Sequence, residues 1–173
     1  MRIYELTEDN GNIRSALREW MNQHNWDISA TLTFADTYSE RQAKLAVVKF
    51  WDEVDYYLYG NAARRRKLRC ERVMFLEGDG EIMHRHYHAA IKFPNTKFAD
   101  VKTFCSFLKK RWRKVHPRCE RVEFKPAYDS SGWISYSTKD IGRSDCDRMD
   151  VDSSHIAAAQ LENVRRFSTE IAA

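Results

Sequence analysis

Twelve residues near the middle of the chain, MHRHYHAAIKFP (83–94), constrain the fold more than any other segment. Three of the six histidines in the sequence, His84, His86 and His88, occupy alternate positions there. Because successive side chains of a β-strand point to opposite faces, a strand would place all three imidazoles on one face. The positions that alternate with them are apolar from Tyr87 onward. We therefore predict a strand with one core face and one face of clustered imidazoles.

The rest of the chain alternates between β-rich runs and stretches with helical spacing of apolar residues. A GDG turn (78–80) precedes the histidine strand and predicts an antiparallel hairpin. Ser39 and Gln42 have the spacing of a capping box at the start of a helix. The predicted strands are 28–34, 70–78, 82–93 and 121–128, and the predicted helices are 11–24, 39–60, 98–115, 130–142 and 156–171.

This order of elements predicts an α+β fold with a central antiparallel sheet and helices packed mainly on one face. The opposite face would then be available for a ligand. We expect one domain over 1–152, with its core at 28–142, followed by a C-terminal helical extension at 153–173. That extension would either pack on the domain or mediate association.

Cysteine usage and hydropathy predict a cytoplasmic protein with no membrane partner. The four cysteines are scattered without a CxxC pair, which favours reduced thiols. No apolar run reaches the roughly 18 residues of a transmembrane helix, and the first ten residues lack the apolar core of a signal peptide.

Positive charge is concentrated in two places, although the net charge is only +4. The first cluster lies between Arg64 and Arg72, and the second is KKRWRK at 109–114. Clusters of this kind favour a polyanionic partner, nucleic acid above all, although solvated faces are a common alternative. The predicted nucleic-acid contacts are Arg64, Arg65, Arg66, Lys67, Arg69, Lys109, Lys110, Arg113 and Lys114.

Two imidazoles at i and i+2 on one strand can converge on a single metal ion. In the predicted hairpin, Glu77 lies at the end of the preceding strand and can supply a carboxylate to His86 and His88. His84 is an alternate ligand. Two histidines and one carboxylate with open positions suit a catalytic divalent metal, whereas a closed tetrahedral set suits a structural zinc.

Tyr136 and Lys139, in the segment YSTKD, form a second candidate pair. Side chains at i and i+3 of a helix are neighbours. A free tyrosine is a poor nucleophile at neutral pH because it ionises only near about pH 10. A neighbouring cation and a metal could stabilise its phenolate. Taken alone, the pair is more typical of a packed aromatic beside a solvated lysine.

The order of these motifs resembles the HUH family of single-strand DNA endonucleases, which includes the initiators of rolling-circle replication. ATLTF (30–34) is similar to the first motif of that family, and HYH (86–88) to its histidine–hydrophobe–histidine motif. YSTKD (136–140) is similar to the tyrosine motif of its one-tyrosine subclass. The resemblance covers about residues 28–142.

The resemblance implies an RRM-like sheet with a metal site, Mn or Mg, on its open face. It implies that Tyr136 attacks one strand of DNA, leaving a 5′-phosphotyrosyl link, with Lys139 as an assisting cation. His86, His88 and Glu77 would be the metal ligands. Single-stranded DNA at a phage or plasmid origin would be the substrate. A host helicase is a further expected partner, because the chain has no GxxxxGK[ST] motif of its own.

Two other functions remain open at the level of sequence. A transposase or relaxase-like mobility enzyme would use the same chemistry. A non-catalytic nucleic-acid-binding module could instead use the histidines to hold a structural zinc.

Overall fold

The computed structural model of the protein describes residues 14–78, 84–94, 97–119, 121–128, 130–139 and 148–156. Within these residues the chain forms five strands and five helices, which include every element predicted between residues 28 and 137. The strands are β1 (Ile28–Thr33), β2 (Arg72–Glu77), β3 (His86–Ile91), β4 (Val122–Pro126) and β5 (Arg148–Met149), and the helices are α1 (14–22), α2 (Glu40–Tyr59), α3 (Asn61–Arg65), α4 (Val101–Val115) and α5 (Ser130–Ser137).

The strands form one sheet in the order β4-β1-β3-β2-β5, and all of its pairings are antiparallel. The predicted α+β fold with a central antiparallel sheet is therefore confirmed. The first four strands together with α2 and α4 follow the β-α-β-β-α-β order of ferredoxin-like folds. This topology places the histidine strand β3 at the centre, hydrogen-bonded to β1 on one side and β2 on the other.

The two long helices, α2 and α4, pack on one face of the sheet. Strand positions with apolar side chains on this face alternate as expected, for example Tyr87, Ala89 and Ile91 on β3. They meet the buried stripes of α2 and α4, whose largest members are Trp51 and Trp112. Tyr87 is fully buried, which confirms its prediction as a core residue.

The opposite face of the sheet is only partly covered. A smaller cluster of buried residues joins Val73 and Phe75 of β2 to Trp20 and Met21 of α1 and Ile134 of α5. The two short helices α1 and α5 therefore cover one part of this face, and the imidazoles of β3 lie beside the covered part.

Local sequence signals set the ends of the long helices. Ser39 caps α2 and accepts a hydrogen bond from the backbone of Gln42, so the predicted capping box is present. Gly60 follows α2 with φ +56°, a backbone conformation that L-residues rarely adopt. Asp100 caps α4 by accepting a hydrogen bond from the backbone of Thr103 at 2.7 Å.

A buried ion pair joins β2 to α2 and to the chain after β5. Arg72 contacts Asp55 at 3.1 Å and donates from Nε to the carbonyl of Ser153. The guanidinium also stacks on Trp51, 4.2 Å from the ring centroid. Burial raises the pKa of Asp55 against the opposing effect of Arg72, and burial also lowers the pKa of Arg72. Arg72, which belongs to a basic run of the sequence, is thus a core residue.

The chain after β5 belongs to the domain as far as it is described. His155 bridges to Arg72, and Ile156 lies in the smaller buried cluster. The remainder of the predicted C-terminal helical extension, 157–173, lies outside the described residues, as do Gly142 and the GDG turn beyond Gly78.

Three of the cysteines, Cys70, Cys105 and Cys119, are buried free thiols, in agreement with the prediction, whereas Cys146 lies outside the described part of the chain. Burial raises the pKa of Cys70 to about 12 and that of Cys105 to about 11, so both stay protonated at neutral pH. Among the helices of the described residues, none has the length and apolar character needed to cross a bilayer.

Candidate functional site

Three potential metal ligands converge on the partly open face of the sheet, where β2 and β3 pair. Glu77 lies directly opposite His86 in the strand register, and His88 is two residues further along β3 on the same face. The Nε2 atoms of His86 and His88 lie 3.2 and 3.4 Å from Oε2 of Glu77. The three ligand atoms are all within 4.8 Å of one another, so this group could hold a metal ion. We refer to Glu77, His86 and His88 as the metal-ligand triad.

The electrostatics of the triad favour a bound cation. Burial opposes the ionisation of Glu77, but its contacts with His86 and His88 outweigh burial and lower its pKa to about 2. Burial also opposes the charged form of His86, yet the bonds to Glu77 and to the carbonyl of His84 raise its pKa.

Each imidazole is oriented through its other ring nitrogen. Nδ1 of His86 donates to the carbonyl of His84 at 3.1 Å, which leaves Nε2 of the neutral ring as an electron-pair donor. Nδ1 of His88 lies 3.2 Å from the hydroxyl of Thr31 on β1. Contacts of this kind fix the rings of metal-binding histidines.

The buried Nε2 of His88 provides a direct test of whether the triad fits a metal. This atom lies 3.4 Å from Oε2 of Glu77, but the contact lacks the geometry of a hydrogen bond, and the atom makes none to any other described residue, although buried polar atoms nearly always have a partner. A metal ion between the three ligands would satisfy it. The His86 side chain retains 20% exposure, against 5% for His88, so a bound ion would be accessible from one side. Catalytic metal sites keep a coordination position open to water or substrate, whereas structural sites are closed by protein ligands.

Tyr136 and His88 line the same cleft, which has a volume of about 560 Å³. The rings of Tyr136 and His88 are 5.6 Å apart in an edge-to-face arrangement, and Tyr136 is 54% exposed. The ammonium of Lys139 lies 4.1 Å from the centre of the Tyr136 ring. The charge of Lys139 also acts on His86, where it opposes protonation. The structure therefore brings the two sequence motifs into one site.

The position of α5 depends on a residue that the sequence did not single out. Arg18 of α1 donates to the hydroxyl of Thr138 at 2.9 Å and to the carbonyl of Ser135 at 3.0 Å. Thr138 is fully buried, and its hydroxyl also donates to the carbonyl of Ile134. Thr138, within YSTKD, thus anchors the helix, and Tyr136 of the same segment lines the cleft with Lys139 over its ring.

His84 is not a member of the triad within the described residues. Its carbonyl orients His86, whereas its side chain lines a second cleft of about 500 Å³. Thr33, at the end of β1, lines both clefts. The predicted alternate ligand therefore faces a different cavity from the one it was assigned to.

The predicted nucleic-acid contacts lie away from the cleft. Lys110, Arg113 and Lys114 are exposed on α4, which packs on the opposite face of the sheet from the triad. Arg64 to Lys67 are exposed at α3, which follows α2 and packs against it in the same layer. Arg69 is half-buried and pairs with Asp55. A nucleic acid in the cleft and one on these clusters would thus contact opposite sides of the molecule.

Sequence reasoning also missed Thr31, although a signal for it was present. Ser29, Thr31 and Thr33 alternate along β1, and all three line the cleft beside the histidines. This polar alternation marks the face of β1 that adjoins the imidazole face of β3.

No protein-family model, curated protein or solved structure matches the chain.

Proposed function

We propose that this protein is a metal-dependent endonuclease that cuts and rejoins single-stranded DNA, with Tyr136 as the nucleophile. The observation that carries the proposal is that His86 and His88, the two imidazoles of a two-histidine, one-carboxylate group, line one cleft on the sheet together with an exposed tyrosine. These are the residues that the resemblance to HUH endonucleases assigns to metal binding and to attack. Their convergence in space adds a constraint that the order of motifs along the sequence does not contain.

The reaction is a transesterification at phosphorus. The phenolic oxygen of Tyr136 attacks the scissile phosphate, a bond forms between that oxygen and phosphorus, and the bond from phosphorus to the 3′-oxygen breaks. The phenol loses its proton to solvent, and the departing 3′-oxygen gains one from solvent. The ammonium of Lys139 lies over the Tyr136 ring and stabilises negative charge as it develops on the phenolic oxygen. Attack by a 3′-hydroxyl on the phosphotyrosine reverses the sequence and rejoins the strand.

Glu77, His86 and His88 would hold a divalent ion, Mn or Mg. The chemistry that such an ion would supply at this site is polarisation of the phosphate and compensation of charge in the transition state. The contribution of the chain is to fix these ligands on two paired strands. Glu77 stays ionised throughout the neutral range because its pKa is held at about 2.

A role in initiating rolling-circle replication of a phage or plasmid rests on the resemblance of the motifs, and a mobility enzyme would use the same site. The two roles differ in the DNA that is cut. A replication initiator cuts its own origin, whereas a transposase or relaxase cuts an element end or a transfer origin. A panel of single-stranded oligonucleotides from each type of site distinguishes them by which one is converted to a covalent adduct.

The formation of that adduct tests the chemistry. Wild-type protein with Mn and a cleavable oligonucleotide should give a covalent species in a denaturing gel, and Tyr136→Phe should give none. Tyr128→Phe is the matched control, because Tyr128 is 85% exposed and does not line the cleft. An adduct that persists in Tyr136→Phe and disappears in Tyr128→Phe would show that the nucleophile is misassigned.

Replacement of a metal ligand separates catalysis from DNA binding. His86→Ala should abolish cleavage and retain most of the affinity for single-stranded DNA, because the ligand acts on the metal. Full cleavage by that variant would refute a catalytic role for the triad. Zinc retained in stoichiometric amount, with no cleavage of any oligonucleotide, would instead identify a zinc-stabilised binding module.

A further inference from the structure

We propose that the second cleft is a phosphate-binding subsite that holds the same DNA strand next to the scissile phosphate. This inference rests on the proposed function and gives His84 a role outside the triad. The second cleft is lined by Thr33, Phe34, Ala35, Asp36, His84, Arg118 and Arg121. Two of these residues are arginines, which neither the triad nor the Tyr136 cleft contains.

The position of the second cleft follows from the strand register. Thr33 pairs with His86 across β1 and β3, so the end of β1 lies beside a ligand of the triad. The Tyr136 cleft extends back along β1 from this point, and the second cleft extends past the end of β1. A single strand that crosses Thr33 would therefore occupy both clefts, with the triad beside their junction.

The junction is held in place by several hydrogen bonds. The carbonyl of Thr33 accepts from the indole of Trp112 at 3.2 Å and from the thiol of Cys119 at 3.1 Å. The hydroxyl of Thr33 donates to the carbonyl of Arg121. The buried ring of Phe34 packs on Trp112 immediately behind. The backbone that carries Arg121 is thus tied to the strand that adjoins the triad.

The charge of the second cleft suits a phosphate. Arg121 is exposed, and its guanidinium makes no ion pair within the described residues. Arg118 pairs with Asp36, but both side chains are largely exposed, at 78% and 50%, and such pairs contribute little. Arg118 can therefore turn to an incoming anion. Guanidinium groups bind phosphate through paired hydrogen bonds, and His84 lies in the same cleft as a further donor.

The ligand that this cleft would recognise is a backbone phosphate of single-stranded nucleic acid. An acidic peptide would also provide anions, but it would not connect the second cleft to a nucleophile and a triad that act on phosphorus. A subsite that adjoins the Tyr136 cleft at Thr33 would hold the strand on one side of the cut. It would add affinity and fix the register of cleavage without touching the reacting atoms.

A scan with methylphosphonate oligonucleotides tests the proposal, because each substitution removes the charge of one phosphate. Binding is measured without metal in a Tyr136→Phe background, so that no cleavage intervenes. In that background we expect one position near the cut at which loss of charge weakens binding by about 10-fold or more. Arg121→Gln should weaken binding of the unmodified strand by a similar factor. In this variant, methylphosphonate substitution at that one position should no longer weaken binding, whereas its effects at the other positions should be unchanged.

Two controls make the outcome specific. Lys102→Gln removes an exposed cation from α4, on the other face of the sheet, and should leave the scan unchanged. Thermal melting reports whether Arg121→Gln is folded, and Arg118→Gln provides a second variant of the same subsite. If Arg121→Gln and Arg118→Gln both keep the wild-type sensitivity at every phosphate, the subsite is refuted. Failure of the proposed function shows instead as an absence of covalent adduct in the wild-type protein with Mn.

Discussion

Replacement of Glu77 by glutamine should remove a pH-dependent part of the stability of the protein. The carboxylate of Glu77 is buried, and His86 and His88 lower its pKa from an ordinary value of 4.5 to about 2. A carboxylate whose pKa is lowered by folding stabilises the folded state fully at pH values above its pKa in the unfolded chain. That stabilisation is lost as the pH falls towards the folded value.

The size of the effect follows from the width of this pH range. Each pH unit between the two pKa values corresponds to about 1.4 kcal/mol. Acidification from about pH 4.5 to about pH 3 covers roughly 1.5 pH units of the range, so the metal-free wild-type protein should lose about 2 kcal/mol through Glu77. Glu77→Gln cannot titrate and should not lose this contribution.

Urea unfolding at a series of pH values, followed by tryptophan fluorescence in the presence of a chelator, measures the difference. Glu123→Gln is the matched control, because Glu123 lines the Tyr136 cleft but is 58% exposed and pairs with the exposed Lys125. Its unfolding free energy should follow that of the wild type. If Glu77→Gln loses as much stability as the wild type between these two pH values, Glu77 is not paired with the two imidazoles in the folded state.

Three further predictions address the metal, the core and the basic faces. Because the pKa of His86 is raised, binding of Mn at neutral pH should release protons. The apparent affinity for Mn should then increase with pH until His86 is neutral. Calorimetry in buffers of different ionisation enthalpy measures both the proton release and the affinity. Asp55→Asn should cost about 3–5 kcal/mol in chemical denaturation, since it leaves the buried Arg72 without its counter-charge, and a double variant with Arg72→Met should recover part of that loss. Charge reversal at Lys110 and Lys114 should reduce the salt dependence of duplex DNA binding. It should leave the cleavage of short single strands unchanged, because these residues lie across the sheet from the cleft. Nitrocellulose filter binding at several salt concentrations measures the first effect, and a cleavage assay measures the second.

The elements that sequence patterns predicted well are those whose surroundings are local. Alternation along β3 defined its two faces, and the GDG sequence at 78–80 implied that Glu77 would pair with the start of the histidine strand. The capping box fixed the beginning of α2 for the same reason. In each case the residues that decide the structure are close together in the sequence.

What the sequence did not predict depends on contacts between distant segments. Two-residue β5 exists because Met149 and Arg148 pair with β2, and nothing in their own sequence indicates a strand. Arg72 lies in a basic run, and only the approach of Asp55 from α2 makes it a buried residue. Arg18 holds α5 across 120 residues of chain, so no local pattern could have identified it.

The two halves of the candidate site lie in parts of the fold that differ in the free energy needed to open them. The triad is on paired strands near the centre of the sheet, and core strands are typically the elements whose opening costs most, close to the free energy of global unfolding. The proposed nucleophile, Tyr136, is on an eight-residue helix, which is too short to be stable alone and depends on Arg18 and Ile134 for its position. Local detachment of α5 therefore costs less free energy than global unfolding. On warming, the proposed strand cleavage should cease while the metal-ligand triad is still intact, so one short helix would set the upper temperature limit of that activity.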